Sequence, residues 1–470
     1  MKEFIVRLKS IEVKNFKNVE YGKIDFSCSE KSYDASILGL YGQNGSGKTA
    51  LIDALHLLKL SLSGQYIPMF FADFVNIEAA FATINYQFKI ESKSRSEKYD
   101  VIYSLSIKRD IDSSQQNTEQ GNSTQTKYRT TVFNENIIAS YIGPDSKFKQ
   151  QPIFDSNTEE VFVPNSKYVQ MFGNDKQLYS SLLAGKTLCS ISSQSFAFSS
   201  TFMNALRKSC SDLIYLNLFE SLVLYGNYEL FVISTSNSAF ITMNALPLTF
   251  KYEESNHASI GQVMIGLNGP TFIPQNALAL IEKLIASMNI VLQQLIPGLT
   301  ISVKNLGIEL RENGEPNTKI QLMSNKNSKE IPLQYESEGI KKIVSVLQLL
   351  IVVYNTSSIT VAIDELDSGV FEYLLGELLR IISEKGKGQL IFTSHNLRPL
   401  ETINKNFIAF TTTNPQNRYI RLQNIKKNNN LRDFYYRDIM LGEQSESIYN
   451  TTNNYEIALA FREAGDHSGS

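Results

Sequence analysis

The sequence predicts an α/β phosphate-loop nucleotide-binding fold. It has a mixed central sheet with flanking helices, an antiparallel β subdomain and a helical insertion. Three observations predict it. Gly42–Thr49 reads G-Q-N-G-S-G-K-T and lies between a short apolar run and a segment of helical spacing. Ile359–Glu365 is a second apolar run, and it ends on two adjacent carboxylates. Residues 4–27 and 79–111 instead alternate apolar and polar side chains, the period of strands with one buried face.

The first segment matches G-x-x-x-x-G-K-[ST] in full. Its glycines let the backbone curl so that successive N–H groups point at phosphate oxygens. Ser36–Tyr41 before it reads as a buried strand. Ala50–Lys59 after it reads as a helix whose N-terminus lies under the phosphates. The candidate nucleotide contacts are Gly42, Gln43, Asn44, Gly45, Ser46, Gly47, Lys48, Thr49 and Ala50. Lys48 would reach the β- and γ-phosphates, and the Thr49 hydroxyl would hold Mg²⁺.

Along the chain, Phe4–Val13 and Gly22–Phe26 read as paired strands that lead to the phosphate-loop strand. Phe81–Ile90 and Tyr99–Ile107 add two more, with a polar hairpin tip at Asp112–Thr126. Ser166–Leu183, Ser199–Asn217 and Gln275–Leu295 have helical character. The last carries a broad apolar stripe suited to a core helix. Strands resume over 300–323, and an apolar helix runs from about Ser337 to Tyr354. This divides the chain into an N-terminal lobe (1–145), a mainly helical insertion (146–299), a C-terminal lobe (300–412) and a tail for oligomer or partner contact (413–470).

Composition bounds the function. Lys and Arg number 45 against 47 Asp and Glu, a net charge of −2, so there is no global basic signature for nucleic acid. The three cysteines, Cys28, Cys189 and Cys210, form no C-x-x-C pair. The N-terminus lacks an apolar signal core, and the apolar stretch Val344–Tyr354 is too short to span a bilayer. A cytoplasmic protein without a membrane partner is expected.

The second apolar run would deliver Asp364 to the metal and Glu365 to the attacking water. Leu366-Asp367-Ser368-Gly369 follows at once. Gly388–Asn396 reads as a further buried strand with His395 at its end, placed to contact the γ-phosphate. Ser337 and Gly339, at the start of the apolar helix, could form an anion site or a plain helix cap.

This order of phosphate loop, S-x-G helix, D-E strand, L-D-S-G and strand-histidine resembles the ABC-type ATPase heads. These include structural-maintenance, SbcC-like and OLD-like AAA ATPases. The resemblance implies a homodimer or higher homo-oligomer that uses ATP and Mg²⁺. Each nucleotide would sit on one phosphate loop and be capped by Ser337 and Gly339 of the other copy. Asp367 would then serve communication across the dimer, His395 would be the switch histidine, and Glu365 and Lys48 would be catalytic. The signature departs from the family pattern, reading E-S-E-G-I for L-S-G-G-Q. Gln65 and Gln151 are the candidates for the family's Q-loop glutamine.

Only 288 residues separate Thr49 from Ser337 (337 − 49). That is too few for long coiled-coil arms and too many for a transporter ATPase. Seventy-five residues follow His395 (470 − 395), too few for a TOPRIM nuclease domain. The chain is therefore similar to stand-alone ATPases of anti-phage defence, those of PARIS systems first and Septu next. The resemblance implies a slow, regulatory ATPase scaffold. It would hold a separate TOPRIM or HNH nuclease and respond to a phage protein or nucleic acid. The alternative is a RecF- or RecN-like clamp on duplex DNA. That reading needs a basic strip, to which Lys341, Lys342, Lys385, Lys387, Arg418, Arg421, Lys426 and Lys427 could contribute. A nuclease within the chain is disfavoured, because no H-N-H cluster is present.

Overall fold

A computed structural model describes residues 4–26, 36–94, 96–111, 128–234, 245–254, 257–310, 316–422, 430–442 and 444–467. The expected hairpin tip at 112–126, Cys28, Lys426 and Lys427 lie outside the described residues.

In chain order, the N-terminal part holds β1 (Phe4–Phe16), β2 (Val19–Asp25), β3 (Ser36–Tyr41), α1 (Lys48–Leu62), β4 (Ala82–Ser92), β5 (Lys98–Ile111), β6 (Tyr128–Ile142) and β7 (Lys147–Asp155). Four helices follow: α2 (Asn165–Phe172), α3 (Lys176–Ile191), α4 (Ser200–Ser209) and α5 (Leu213–Leu224). A π-helical turn (Tyr225–Glu229) leads into β8 (Leu230–Ile233). Next come β9 (Ala245–Glu254), β10 (His257–Gly266), β11 (Thr271–Pro274), α6 (Leu278–Leu295), β12 (Leu299–Leu310), β13 (Pro316–Lys326) and β14 (Lys329–Pro332). The rest is α7 (Glu338–Asn355), β15 (Thr360–Ile363), α8 (Glu372–Lys385), β16 (Gln389–Thr393), α9 (Pro399–Thr402), β17 (Ile408–Thr411), β18 (Tyr419–Ile420), α10 (Leu431–Leu441) and α11 (Asn454–His467).

Two six-stranded sheets form the frame. The central sheet has the order β18-β17-β3-β16-β15-β8. Its four pairings from β17 to β8 are parallel, and β18 adds an antiparallel edge. Every residue of β3, β15 and β16 is buried, as expected of strands covered on both faces. The second sheet, β2-β1-β4-β5-β6-β7, is antiparallel throughout. β4 alternates buried and half-buried residues along most of its length, which is the signal legible in its sequence.

Helix α1 lies between the two sheets, and all its residues except Thr49 are buried. A helix apolar on every side belongs in such a position. Its polar members are matched locally. The Tyr86 hydroxyl from β4 donates to the Ala54 carbonyl at 2.6 Å. The Lys59 ammonium donates to the carbonyls of Leu230 (2.7 Å) and Gly226 (3.2 Å), tying α1 to the π-helical turn and β8. Burial pulls that lysine's pKa down to about 8. His56, buried beside the edge of Phe71, is pulled down to about 4 by burial and then by Lys59.

The stretch 146–299, expected to be mainly helical, mixes helices and strands. It holds α2–α5, yet β8 returns to the edge of the central sheet, and β9–β11 follow. The expected helix over 166–183 is broken at Gly173, whose φ is +73°, and Asp175 caps α3 by accepting from Gln177 N–H at 2.8 Å. Segments β11–β14 form a small sheet of their own, and β9 and β10 pair separately. Helix α6 closes a third core here through Ile281, Ile285, Met288 and Leu292. By length and composition Gln275–Leu295 could cross a membrane, but its apolar stripe packs in this core. In the tail, α10 buries Leu431, Phe434 and Tyr435 against the central-sheet core, while the described side chains of α11 are exposed.

Candidate functional site

Loop 42–47 bridges β3 and α1. Gly42 has φ +152°, and a Cβ there would lie 1.9 Å from the Thr411 hydroxyl, so only glycine lets the loop pass β17. The loop is held from its outer side. The Tyr419 hydroxyl donates to the Gly47 carbonyl at 3.0 Å. The Asn18 amide donates to the Gly45 carbonyl. Ser46 shares a hydrogen bond with Thr411 and donates to the Gln43 carbonyl at 2.5 Å. The Asn450 N–H donates to Gln43 Oε1 at 3.0 Å. Gln43 and Ser46 thus brace the loop from behind. Thr411, Tyr419 and Asn450 had no signal in the sequence, because they lie 365 to 407 positions from their partners.

Lys48 donates to the carbonyls of Gly42 (2.8 Å) and Gln43 (3.0 Å). Burial lowers its pKa, and the carboxylates of Asp364, Glu365 and Asp367 pull it back.

Strands β15 and β16 bring the acids to the loop. Asp364 is only 1% exposed, and its Oδ1 accepts from the Thr393 hydroxyl at 2.6 Å. The same hydroxyl oxygen accepts from the Glu365 N–H at 2.8 Å. Glu365 has φ +48°, the left-handed region that residues other than glycine seldom adopt. Asp367 Oδ2 accepts the backbone N–H groups of His395 and Asn396, each at 3.0 Å. This fixes His395 relative to Asp367. Asp367 Oδ1 is buried with no hydrogen-bond partner among the described residues.

Loop and acids share one cavity of about 1210 Å³. Asn44, Gly45, Gly47, Lys48, Thr49 and Ala50 line one side, and Asp364, Glu365, Asp367, Thr393 and His395 line another. Lys17, Phe74, Ile77 and Arg109 extend it toward the antiparallel sheet. The donor set fits a nucleoside triphosphate with Mg²⁺. It combines loop N–H groups, one ammonium, a hydroxyl and a buried carboxylate, and it leaves Asp367 Oδ1 without a partner. The described residues hold no cluster of three or more His, Cys, Asp or Glu arranged as a metal cage. Mg²⁺ held by few protein ligands and by phosphates needs none.

Ser337 and Gly339 do not line this cavity. The exposed Ser337 caps α7, its hydroxyl accepting from Ile340 N–H at 3.3 Å. Gly339 packs on the acidic loop of its own chain, where a Cβ would lie 2.2 Å from the Gly369 carbonyl oxygen. Neither Gln65 nor Gln151 lines the cavity. The basic strip is also thinner than its sequence. Lys341, Lys342 and Arg418 are buried, and Arg421 donates to the carbonyls of Asn406, Ile408 and Asp25. Of the described members, Lys385 and Lys387 are exposed.

A family model described as the RecF/RecN/SMC N terminal domain matches residues 7–418. No curated protein matches the chain in sequence. Similar solved structures include an Smc head bound to the C-winged helix domain of ScpA, at 11% identity over 88% of this chain and 97% of that one, with TM-score 0.35. The recombination mediator protein RecF-ATPrS of the RecFOR pathway is similar at 13% identity over 89% of this chain and 98% of that one, with TM-score 0.36. The SMC head domain from Thermotoga maritima is similar at 14% over 89% and 100%, with TM-score 0.33.

Proposed function

Because the chain belongs to the RecF/RecN/SMC N-terminal domain family and is an ATP-binding head of ABC type, we propose that it hydrolyses ATP slowly, as an assembly switch. The observation that carries this reading is the single cavity joining loop residues Asn44–Ala50 to Asp364, Glu365, Asp367 and His395. The loop N–H groups and the N-terminus of α1 bind phosphate oxygens, and Lys48 leaves its loop carbonyls for the β- and γ-phosphates. Thr49 and Asp364 would hold Mg²⁺, which would supply charge neutralisation. Glu365 orients and deprotonates water for in-line attack on the γ-phosphate, and His395 contacts that phosphate. Positioning and electrostatics supply most of the rate.

The second half of the site comes from another copy of the chain. Ser337 supports this, since it is exposed at a helix start yet lies outside its own chain's cavity. The finer reading is a cytoplasmic scaffold that holds a separate nuclease in anti-phage defence. It rests on the short interval between motifs and on α11, which offers Tyr455 and Phe461 to solvent. Co-purification of a TOPRIM or HNH nuclease tests it. The family match also favours a RecF- or RecN-like clamp, for which steeply salt-dependent duplex binding is the test. Steady-state phosphate release tests the ATPase itself. Wild type should turn over, Lys48→Ala should lose nucleotide binding, and Glu365→Gln should bind ATP but keep only a residual turnover, down by on the order of a hundredfold or more. Normal turnover by Glu365→Gln would remove that residue from the chemistry.

A further inference from the structure

We propose that Lys342 is a positioning residue of the hydrolysis reaction, fixing the left-handed backbone of Glu365 and so the direction of its carboxylate. The inference rests on the reading of Glu365 as the residue that activates water.

Three observations carry it. Lys342 lies on α7 and is 4% exposed, and its ammonium donates to the Glu365 carbonyl at 3.3 Å. Glu365 is held at φ +48°, a conformation that persists only when its surroundings over-determine it. Its N–H is anchored on Thr393 at 2.8 Å, and its carbonyl also accepts from Ser368 N–H at 3.1 Å. Lys342 thus reaches that carbonyl from outside the acidic loop. The far end of the same loop is gripped by the same helix, through the close packing of Gly339 on Gly369. One helix therefore holds residues 365–369 at both ends.

The chemistry of the lysine agrees with this placement. An ammonium is costly to bury unless charge and hydrogen bonds answer it. Lys342 faces the carboxylates of Asp364, Glu365 and Asp367, and Lys48 faces the same three from the phosphate-loop side. Lys48 touches the phosphates in the proposed mechanism. Lys342 instead holds a backbone carbonyl, so its effect reaches the reaction through Glu365.

The test is Lys342→Met, with turnover and nucleotide affinity measured separately, alone and in the Glu365→Gln background. Moving a catalytic group by about 1 Å can cost on the order of a hundredfold in rate. We expect turnover to fall at least tenfold and ATP affinity to stay within about threefold. In the Glu365→Gln background Lys342→Met should produce no further loss, since both changes act through one carboxylate. Lys342→Gln keeps a donor for the carbonyl and should fall between wild type and Lys342→Met. It decides the matter if the methionine variant does not fold. Unchanged turnover, or an equal loss in the Glu365→Gln background, overturns the inference and leaves the ATPase reading intact. A wild-type chain that hydrolyses no ATP overturns both.

Discussion

Replacing Thr393 by valine removes one hydroxyl and keeps the shape of the side chain. That hydroxyl donates to Asp364 Oδ1 at 2.6 Å and accepts from the Glu365 N–H at 2.8 Å. Both Thr393 and Asp364 are about 1% exposed, so water cannot replace what is lost. Each buried hydrogen bond whose partner is removed costs about 1–3 kcal/mol, and one made to an ionised carboxylate lies at the upper end. Thr393→Val should therefore destabilise the nucleotide-free chain by roughly 3 kcal/mol. With an unfolding entropy of about 2.1 cal/mol/K per residue over the chain, melting as one unit, this is a drop of about 3 °C in Tm. The assay is thermal unfolding of Thr393→Val beside Thr393→Ser, which keeps the hydroxyl and should melt within about 1 °C of wild type. Turnover should fall by about tenfold in the valine variant, since Glu365 loses one backbone anchor. Equal melting and equal turnover for the two variants would refute the account of the acidic strand ends.

Acid should weaken the fold through His56. Its pKa is lowered from 6.5 to about 4, so the unfolded chain takes up a proton first as pH falls. The stability present above pH 6.5 is lost on the way down to pH 4, by about 2 kcal/mol between pH 7 and pH 5. Urea unfolding of His56→Leu should lack that part of the wild-type loss, and an identical pH dependence would discount the histidine. Gly339→Ala should lower the nucleotide-free melting temperature by about 2 °C, from roughly 2 kcal/mol of overpacking against the Gly369 carbonyl. A signature glycine needed only by a second copy would leave that temperature unchanged.

The parts of the site that were legible in the sequence are local. Gly42–Thr49 carries its glycines, lysine and threonine in one window, and Thr360–Glu365 shows a buried strand ending in acid. Alternation over β4 and β5 gave the antiparallel pair, because a half-buried sheet imposes period two. What escaped is long-range. β8 is four residues long and apolar, with no period to read, yet it pairs with β15 about 130 positions later. The braces on the phosphate loop, Thr411 and Tyr419, sit on the two last strands of the central sheet, where sequence distance hides the contact. The lysines on α7 looked like surface charge, and the burial of Lys341 and Lys342 follows only from how α7 packs. The Ser337 cap was readable, since serine before an apolar helix is a common cap. The close approach of Gly339 to Gly369 needed the tertiary fold.

The central claim is that the cavity is half of a site completed by a second copy. Sedimentation of Glu365→Gln with and without ATP·Mg²⁺ tests it most directly. The account predicts a species of 53.0 kDa, or its resting oligomer, that doubles in mass only when ATP is present. Bound ATP at full occupancy with no change in mass would contradict it.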